Sequence, residues 1–315
     1  MSLEGIKDVQ VGVKDKLSVP VSVVVLTKNE ERNLVACLDA VSGWCREIII
    51  VDSGSSDSTI EIARRYGATV VFHSFSGHTA QWNWTLRNVQ FQCEWTLCLD
   101  ADQRITPELR NEIGVLLENP AVVPEDGFYL RRRQIFRGKW IRHGGYYPKY
   151  VLKLLRHAHA WCDENERLDS RFYVRGRTRI LKNDVIENNH NESNLTFWIE
   201  KHNRYAVLQA TEELDRRAKD VPWNLEPRFF GNPDQRTLFL RDVWYRFLPL
   251  YVRPFLLFFY RYIFRLGFLD GKQGFVFHFL QSLWFRIVVD AKIEELRAPH
   301  MGSETDGAVV TRGIS

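Results

Sequence analysis

The segment LCLDADQRI at 97–105 is an apolar run that closes on two aspartates one residue apart, Asp100 and Asp102. In a strand, the two-residue period turns both carboxylates the same way until the strand gives out. Oxygen ligands held so rigidly suit a hard divalent cation, Mg²⁺ or Mn²⁺, which keeps waters and substrate phosphates in its other positions. Acidic pairs also end many strands as solvated loop residues, so the pair gains meaning only from its neighbours. Two more polar clusters follow apolar runs in the same manner: Thr27-Lys28-Asn29-Glu30 after VSVVVLT, and Asp52 to Asp57 after EIIIVD.

The elements that must position these clusters alternate. VSVVVLT (21–27), EIIIVD (47–52), ATVVF (68–72) and WTLCLD (95–100) carry the continuous apolar signature of strands buried on both faces. Between them NLVACLDAV, STIEIARRYG and GHTAQWNWTLRNV have helical spacing. Ser56 or Asp57 reads as a helix cap, and Gly67 as a helix stop. Such alternation predicts βαβ units and a mainly parallel sheet flanked by helices, with ligands at the carboxyl ends of the strands. All three polar clusters fall at those ends, so one rim collects them.

A chain of 315 residues, 45% hydrophobic and 26% charged, is globular and has room for one large or two modest domains. The net charge of +4 is too small to argue for nucleic acid, which is excluded as a partner. Five cysteines with no CxxC pair read as reduced thiols, with Cys98 as core. The opening MSLEGIKDVQVGVKDK has no apolar h-region, which argues against export and makes the sequons at Asn83, Asn191 and Asn194 chance matches.

SVVVLTKNEERNL, EIIIVDSGSSDSTIEIA, GHTAQWNW and LCLDADQRITPEL together resemble the successive blocks of family 2 inverting glycosyltransferases, in particular the lipopolysaccharide-core and exopolysaccharide glucosyltransferase branch. The similarity continues through GKWIRHGGYYPKY, FWIEKHNRYA and RLGFLDGKQGF, over most of 20–295. It implies a GT-A (Rossmann-like) fold, a nucleotide-diphosphate sugar donor, UDP-linked first of all, and a hydroxyl-bearing acceptor. Thr27, Asn29, Glu30 and Asp52 then hold the nucleotide, Asp100 faces ribose or metal, and Asp102 is the direct metal ligand. His190 completes the metal shell as a downstream histidine does in some relatives. An inverting transfer needs a general base; the matching segment AWCDENERLDS (160–170) offers Glu166, with Glu164 and Asp163 as rivals. Two positions depart from the family pattern. Gln103 replaces a common Glu, and Trp82 stands where a basic residue usually serves the diphosphate, leaving His78, Lys28 or Arg87 to compensate.

RGKWIRHGGYYPKY (137–150) mixes glycines, aromatics and cations. Its rings can stack on sugars and its cations can reach phosphate or hydroxyl groups, so Arg142, His143 and Tyr147 are the expected acceptor residues, against a glycine-bent packing loop. His157 and His159 alternate like a metal pair, but with no third ligand nearby they read as surface residues.

From about Leu195 helical spacing takes over, and 237–296 interleaves aromatics with Arg241, Arg246, Arg253, Arg261, Arg265 and Arg286. No stretch reaches the roughly 20 uninterrupted apolar residues of a spanning helix. Amphipathic helices lying on an anionic membrane surface, arginines on head groups and rings in the acyl region, fit instead; a helical layer at an oligomer interface is the rival. The expected organisation is a flexible lead-in (1–19), a GT-A catalytic domain (20–193), a helical membrane-associating region (194–298) and a disordered tail (299–315). The expected protein is a peripheral, metal-dependent inverting glycosyltransferase on the cytoplasmic face of the inner membrane, acting on a lipid-linked glycan of the cell envelope. The alternatives are a polyprenyl-phosphate sugar synthase and an inactive nucleotide- or glycan-binding scaffold.

Overall fold

The computed structural model describes residues 18–168, 170–219 and 225–298. Nearly all of the expected lead-in, and the whole of the expected tail, lie outside the described residues. Four strands, β1 (Val19–Thr27), β2 (Cys45–Asp52), β3 (Thr69–Phe72) and β4 (Trp95–Asp100), alternate with α1 (Glu31–Asp39), α2 (Thr59–Arg65) and α3 (His78–Asn88). Their pairings, β3 on β2, β2 on β1 and β1 on β4, are all parallel. Val23, Val25, Leu97 and Leu99 pack on Leu34 and Leu38 of α1, while Val24 and Cys98 pack on Trp82 and Leu86 of α3. A strand with helices on both faces needs apolar residues at every position, which is why these runs do not alternate in polarity.

The second half of the sheet is mixed. After β5 (Gln103–Ile105) and α4 (Pro107–Leu116) come β6 (Gly127–Phe136), β7 (Lys139–Ile141), β8 (Lys149–Arg156), the β9 (Ala160–Cys162) and β10 (Phe172–Val174) pair, and β11 (Thr178–Glu187). The order is β3-β2-β1-β4-β8-β6-β11-β5, with β7 on β6. Antiparallel β8 brings its side chains beside the end of β4, and antiparallel β5 folds the chain after Asp102 back onto β11. Asn83 of α3 donates to the Cys162 carbonyl at 3.0 Å and accepts its amide at 2.8 Å, pinning α3 to β9. All five cysteines are free and buried.

The helical region comprises α5 (Leu195–Lys219), α6 (Pro233–Phe247), α7 (Val252–Phe259), α8 (Gly271–His278) and α9 (Phe285–Arg297). Ala206 and Ala210 of α5 let α9 approach closely and pack Phe285, Val289 and Ile293 on them. Asn232 caps α6, exchanging hydrogen bonds with Gln235. Among the described residues no helix is long and apolar enough to cross a membrane.

The arginines of this region do not point where the interleaved pattern predicts. Arg253 is fully buried, its guanidinium clasped by Asp290 and by both carboxylate oxygens of Glu213 at 2.8 and 3.1 Å. Arg241 faces Glu212 at 3.4 Å, and Arg261 donates to the Tyr146 hydroxyl at 2.6 Å. The Arg246 side chain lies outside the described residues. Acidic residues on α5 and α9 answer Arg241 and Arg253, because a buried guanidinium needs carboxylate partners, while exposed Arg265 stays outside. Exposure falls to the rings: Phe255, Phe259, Ile263, Phe264, Phe268 and Leu269 of the α7–α8 stretch all lie open.

The helical region is locked to the sheet domain at the 142–147 loop. Asp270, itself buried, accepts the amides of Arg142 and His143 at 3.0 and 2.9 Å and faces His143 Nδ1 at 2.8 Å. The Gly144 amide donates to the Arg265 carbonyl at 2.8 Å. His278 wedges beneath this loop; a Cβ at Gly144 would sit 2.0 Å from its ring, so that glycine is required by close approach. Neither ring nitrogen of His278 finds a hydrogen-bond partner among the described residues.

Arg253→Met should lower the unfolding free energy by about 3–5 kcal/mol, because it leaves Glu213 and Asp290 buried and unanswered. A denaturation midpoint that does not move would contradict this pairing. Burial first, and Arg261 second, hold the His278 imidazole down to about 4 from its ordinary 6.5, with Asp270 opposing. The folded state therefore keeps it neutral where the unfolded chain already protonates. Its contribution is complete above pH 6.5 and is lost as pH falls from 6.5 toward 4, on the order of 3 kcal/mol in all. His278→Gln should flatten that part of the stability–pH curve, as read by chemical denaturation across the window.

Candidate active site

The rim begins with a turn stitched to a loop. β1 ends at Thr27, whose hydroxyl donates to Asp52 at 2.8 Å. Asp52 also accepts the amides of Gly54 and Ser55, both at 2.8 Å, and the Ser55 hydroxyl at 2.5 Å. Burial alone would raise its carboxyl, but the bonds from Ser55, Thr27 and Gly54 hold it below the ordinary range. Asn29, in the left-handed conformation that asparagine tolerates, accepts the Ser56 amide at 2.8 Å, and its own amide donates to the Ser55 hydroxyl at 2.8 Å. The Glu30 amide donates to the Thr59 hydroxyl, and its carboxylate accepts from Asn33 at 2.7 Å. Asp57 accepts the amides of Glu31 and Thr59, the capping role its sequence position suggests.

A carboxylate has about four lone-pair sites, and in this conformation Thr27, Gly54 and Ser55 fill them, so Asp52 shapes the 53–56 loop.

At the end of β4, Asp100 stands opposite a cation that sequence reasoning missed. Lys153 of β8, itself buried, places Nζ 2.9 Å from Asp100 Oδ2 and lies over the Trp82 ring at 5.8 Å. His78, at the start of α3, brings Nε2 to 3.5 Å from Asp100 Oδ1. Burial pushes the Asp100 carboxyl up, but Lys153 and His78 outweigh it and hold the group ionised far into acid. The signal lay in VLKLL (151–155), where one lysine interrupts an apolar strand and so needs a buried partner. Trp82 is core, and the cation absent from α3 is supplied across the sheet. Of the residues expected to compensate, Lys28 donates to the Ser53 and Gly54 carbonyls, and Arg87 lies 3.9 Å from Glu164.

Asp102, half-buried two residues on, has the opposite character. Burial, then Glu187 and Asp100, push its carboxyl well above the ordinary range. Gln103 accepts the Asp100 amide and donates to Glu187 at 2.9 Å, so a carboxylate there would add one more like charge. Lys201 of α5, paired with Glu192 at 2.7 Å, is the cation reaching this corner from the helical region, and the sequence held no clear signal for it. The His190 side chain is exposed, and its amide donates to the Asn33 side chain at 2.8 Å. Among the described residues no three His, Cys, Asp or Glu side chains converge on one point.

Glu166 is wholly covered. Its carboxylate accepts from Arg171 at 2.5 Å and from the Tyr173 hydroxyl at 2.9 Å, while Thr79, next to His78, donates to its carbonyl at 2.7 Å. Burial raises its carboxyl, against the pull of Arg171. The expectation of a base open to an acceptor is therefore not met in this conformation. Of its rivals, Asp163 is buried against Arg216, and Glu164 is open but sits beside Arg87, nine residues beyond His78 on α3 and so roughly 13 Å along the helix. Among the expected acceptor residues, Arg142 stacks on Trp140 with 4.6 Å to the ring centre, His143 is held by Asp270, and Tyr147 donates to Asp184 at 3.0 Å. His157 and His159 form no metal pair; His159 lies 2.9 Å from Asp126.

Lys153→Met should destabilise the fold by roughly 2 kcal/mol, less than for a fully buried pair because a third of Asp100 remains exposed. Adding Asp100→Asn should restore most of that loss in the same denaturation experiment. A double variant no better than the single one would show that the pair is not what holds Lys153.

Residues 22–165 match the family model described as Glycosyl transferase family 2. An uncharacterized glycosyltransferase of Rickettsia typhi is 33% identical over 95 residues, 30% of this chain and 31% of that protein. The chain thus spans about a third of the length of that curated relative. The lipopolysaccharide core biosynthesis glycosyltransferase LpsC of Rhizobium meliloti is 26% identical across 84% of this chain and 90% of its own. Among solved structures, glucosyl-3-phosphoglycerate synthase from Mycobacterium tuberculosis, in complex with Mn²⁺, UDP and glucosyl-3-phosphoglycerate, is 23% identical with a TM-score of 0.30, covering 38% of this chain and 46% of that one. TarS 1–349 of S. aureus with UDP is 15% identical with a TM-score of 0.41, covering 92% and 94%. The first blocks read from the sequence, from SVVVLTKNEERNL through GKWIRHGGYYPKY, fall within the matched residues, so residues 22–165 are similar to glycosyl transferase family 2.

Proposed function

We propose that this protein transfers a sugar, with inversion, from a nucleotide-diphosphate sugar, UDP-linked first of all, to a hydroxyl of a lipid-linked saccharide of the cell envelope. The observation that carries the reading is the rim where the 27–30 turn, the 53–56 loop, Asp100 and Asp102 meet at the carboxyl ends of the parallel strands. The similarity to LpsC supports an envelope glycan as acceptor.

Exposed Asn29 and the loop that Asp52 shapes take the nucleoside. Lys153, already facing Asp100, presents positive charge to the diphosphate, and His78 stands beside it. A divalent cation fits Asp102: a carboxyl crowded by Glu187 and Asp100 gains from a cation, and Mg²⁺ or Mn²⁺ needs only one or two carboxylates when phosphates supply further oxygens. Bound there, it would stabilise the charge that develops on the leaving diphosphate. The acceptor oxygen attacks the anomeric carbon from the opposite side, loses its proton to a base, and the bond to the diphosphate breaks. Glu166 is our base, supported by its raised carboxyl and by the hydrogen bond that its carbonyl accepts from Thr79, the residue beside His78. It can act only after Arg171 turns aside. That requirement favours one rival, transfer to a lipid phosphate, whose oxygen is already ionised. The scaffold alternative drew on Trp82 and on Asn165, and Lys153 removes the first reason.

The open rings of α7 through α8 support a peripheral seat on a lipid surface, with the cytoplasmic face of the inner membrane as the site where nucleotide sugars are present.

Asp102→Asn should abolish cation-dependent UDP binding and transfer while leaving the melting temperature unchanged or raised, because it relieves like-charge crowding. Turnover near normal in a Mn²⁺-supplemented donor panel would remove Asp102 from the donor site. Glu166→Gln should keep donor affinity and lower kcat by roughly 10²–10⁴-fold. Full activity on a lipid phosphate in that variant would select the rival.

A further inference from the structure

We propose that the cleft between the β6–β7 turn and α8 binds the phosphate of an anionic lipid head group, the polar anchor beside the apolar face. This rests on the reading that the α7–α8 face meets a membrane, and it replaces the buried arginines as the source of attraction to negative charge.

The cleft has a volume of about 250 Å³ and is lined by Phe136, Arg137, Lys272, Gln273 and Val276. Phe136 and Lys139 pair across the turn, leaving Arg137 and Gly138 as its two central residues with φ of 49° and 78°. Two left-handed residues at these positions describe the tight hairpin turn that asparagine, aspartate or glycine fills most readily. An arginine there is held in an unfavoured backbone conformation, and its own contacts do not explain it: among the described residues neither Arg137 nor Lys272 has a carboxylate partner. Asp270, which precedes Lys272 on the chain, turns its carboxylate to the 142–143 amides and away from the first turn of α8. The cleft therefore gathers a guanidinium fork and an ammonium with no acid to neutralise them, a set suited to a phosphate.

Position selects the lipid as the phosphate's source. Phe268 and Leu269 immediately before α8, and Phe275 within it, are 45%, 54% and 45% exposed. A surface that seats these side chains in acyl chains brings the cleft to head-group depth. Arg265 and Lys139, also exposed, lie on the same stretch and the same turn.

Co-sedimentation of the full chain with phosphatidylcholine vesicles, and with the same vesicles doped with phosphatidylglycerol, tests this. The wild type should bind both and favour the doped vesicles by roughly 10-fold or more. Arg137→Asn/Lys272→Gln, with an asparagine that suits the turn, should bring the two affinities together without weakening binding to phosphatidylcholine. Lys139→Gln, beside the cleft, should keep most of the preference. A double variant that retains the preference overturns the cleft site and leaves the membrane seat standing. A wild type that sediments with neither vesicle overturns both. Saturable binding of inorganic phosphate, lost in the double variant and unaccompanied by any vesicle preference, would assign the cleft to a soluble phosphorylated ligand and overturn the lipid.

Discussion

A carboxylate at the end of a strand buried on both faces has to be answered by a cation, and in this protein the answer comes from across the sheet. Lys153 reaches Asp100 because β8 runs antiparallel beside β4 and so delivers its side chain to the rim from the opposite direction. Much of the local arrangement follows. Trp82 can be pure core because Lys153 of β8, with His78 at the start of α3, already faces Asp100. Asp102 can remain crowded and under-neutralised because Asp100 has taken the cation. The two aspartates, alike in sequence, are thereby set to opposite tasks, one held ionised and one held ready to accept a positive partner.

The helical region resolves a similar conflict by inversion of its apparent pattern. Interleaved arginines and aromatics look like an amphipathic surface with its charges outward. Instead Glu212, Glu213 and Asp290 are buried, and each must face a guanidinium, so Arg241 and Arg253 turn in. With Arg241 and Arg253 turned in, the outside of these helices is largely apolar, and attraction to anionic surfaces falls to the few cations that stay exposed, among them Arg265 and Lys272.

The parallel half of the sheet was legible because burial on both faces writes itself as unbroken β-branched runs, and the rim because polar clusters ended each run. The mixed half was harder. KYVLKLL and GFYLRRRQIF carry charges within their strands, and only pairing tells that Arg131 and Arg133 meet Asp184 or that Lys153 meets Asp100. The bonds that Asp52 accepts from its own loop were not legible, because the sequence cannot show how many of a carboxylate's lone pairs that loop will use. The cover of Glu166 by Arg171 and Tyr173 is long-range packing that spacing does not encode, nor does it encode the outward turn of the His190 ring.

Asp270 ties the amides of Arg142 and His143 to the helices that carry the exposed rings, and Gly144 is pinned to Arg265 in the same place. The 142–147 loop is therefore no independent flap but an extension of the α7–α8 helices, and a displacement of those helices carries the loop with it. On the proposed lipid seat, a surface meeting Phe264 and Phe268 would set the height and slope of this loop above it, and so act as a ruler for the chain that the loop is proposed to receive.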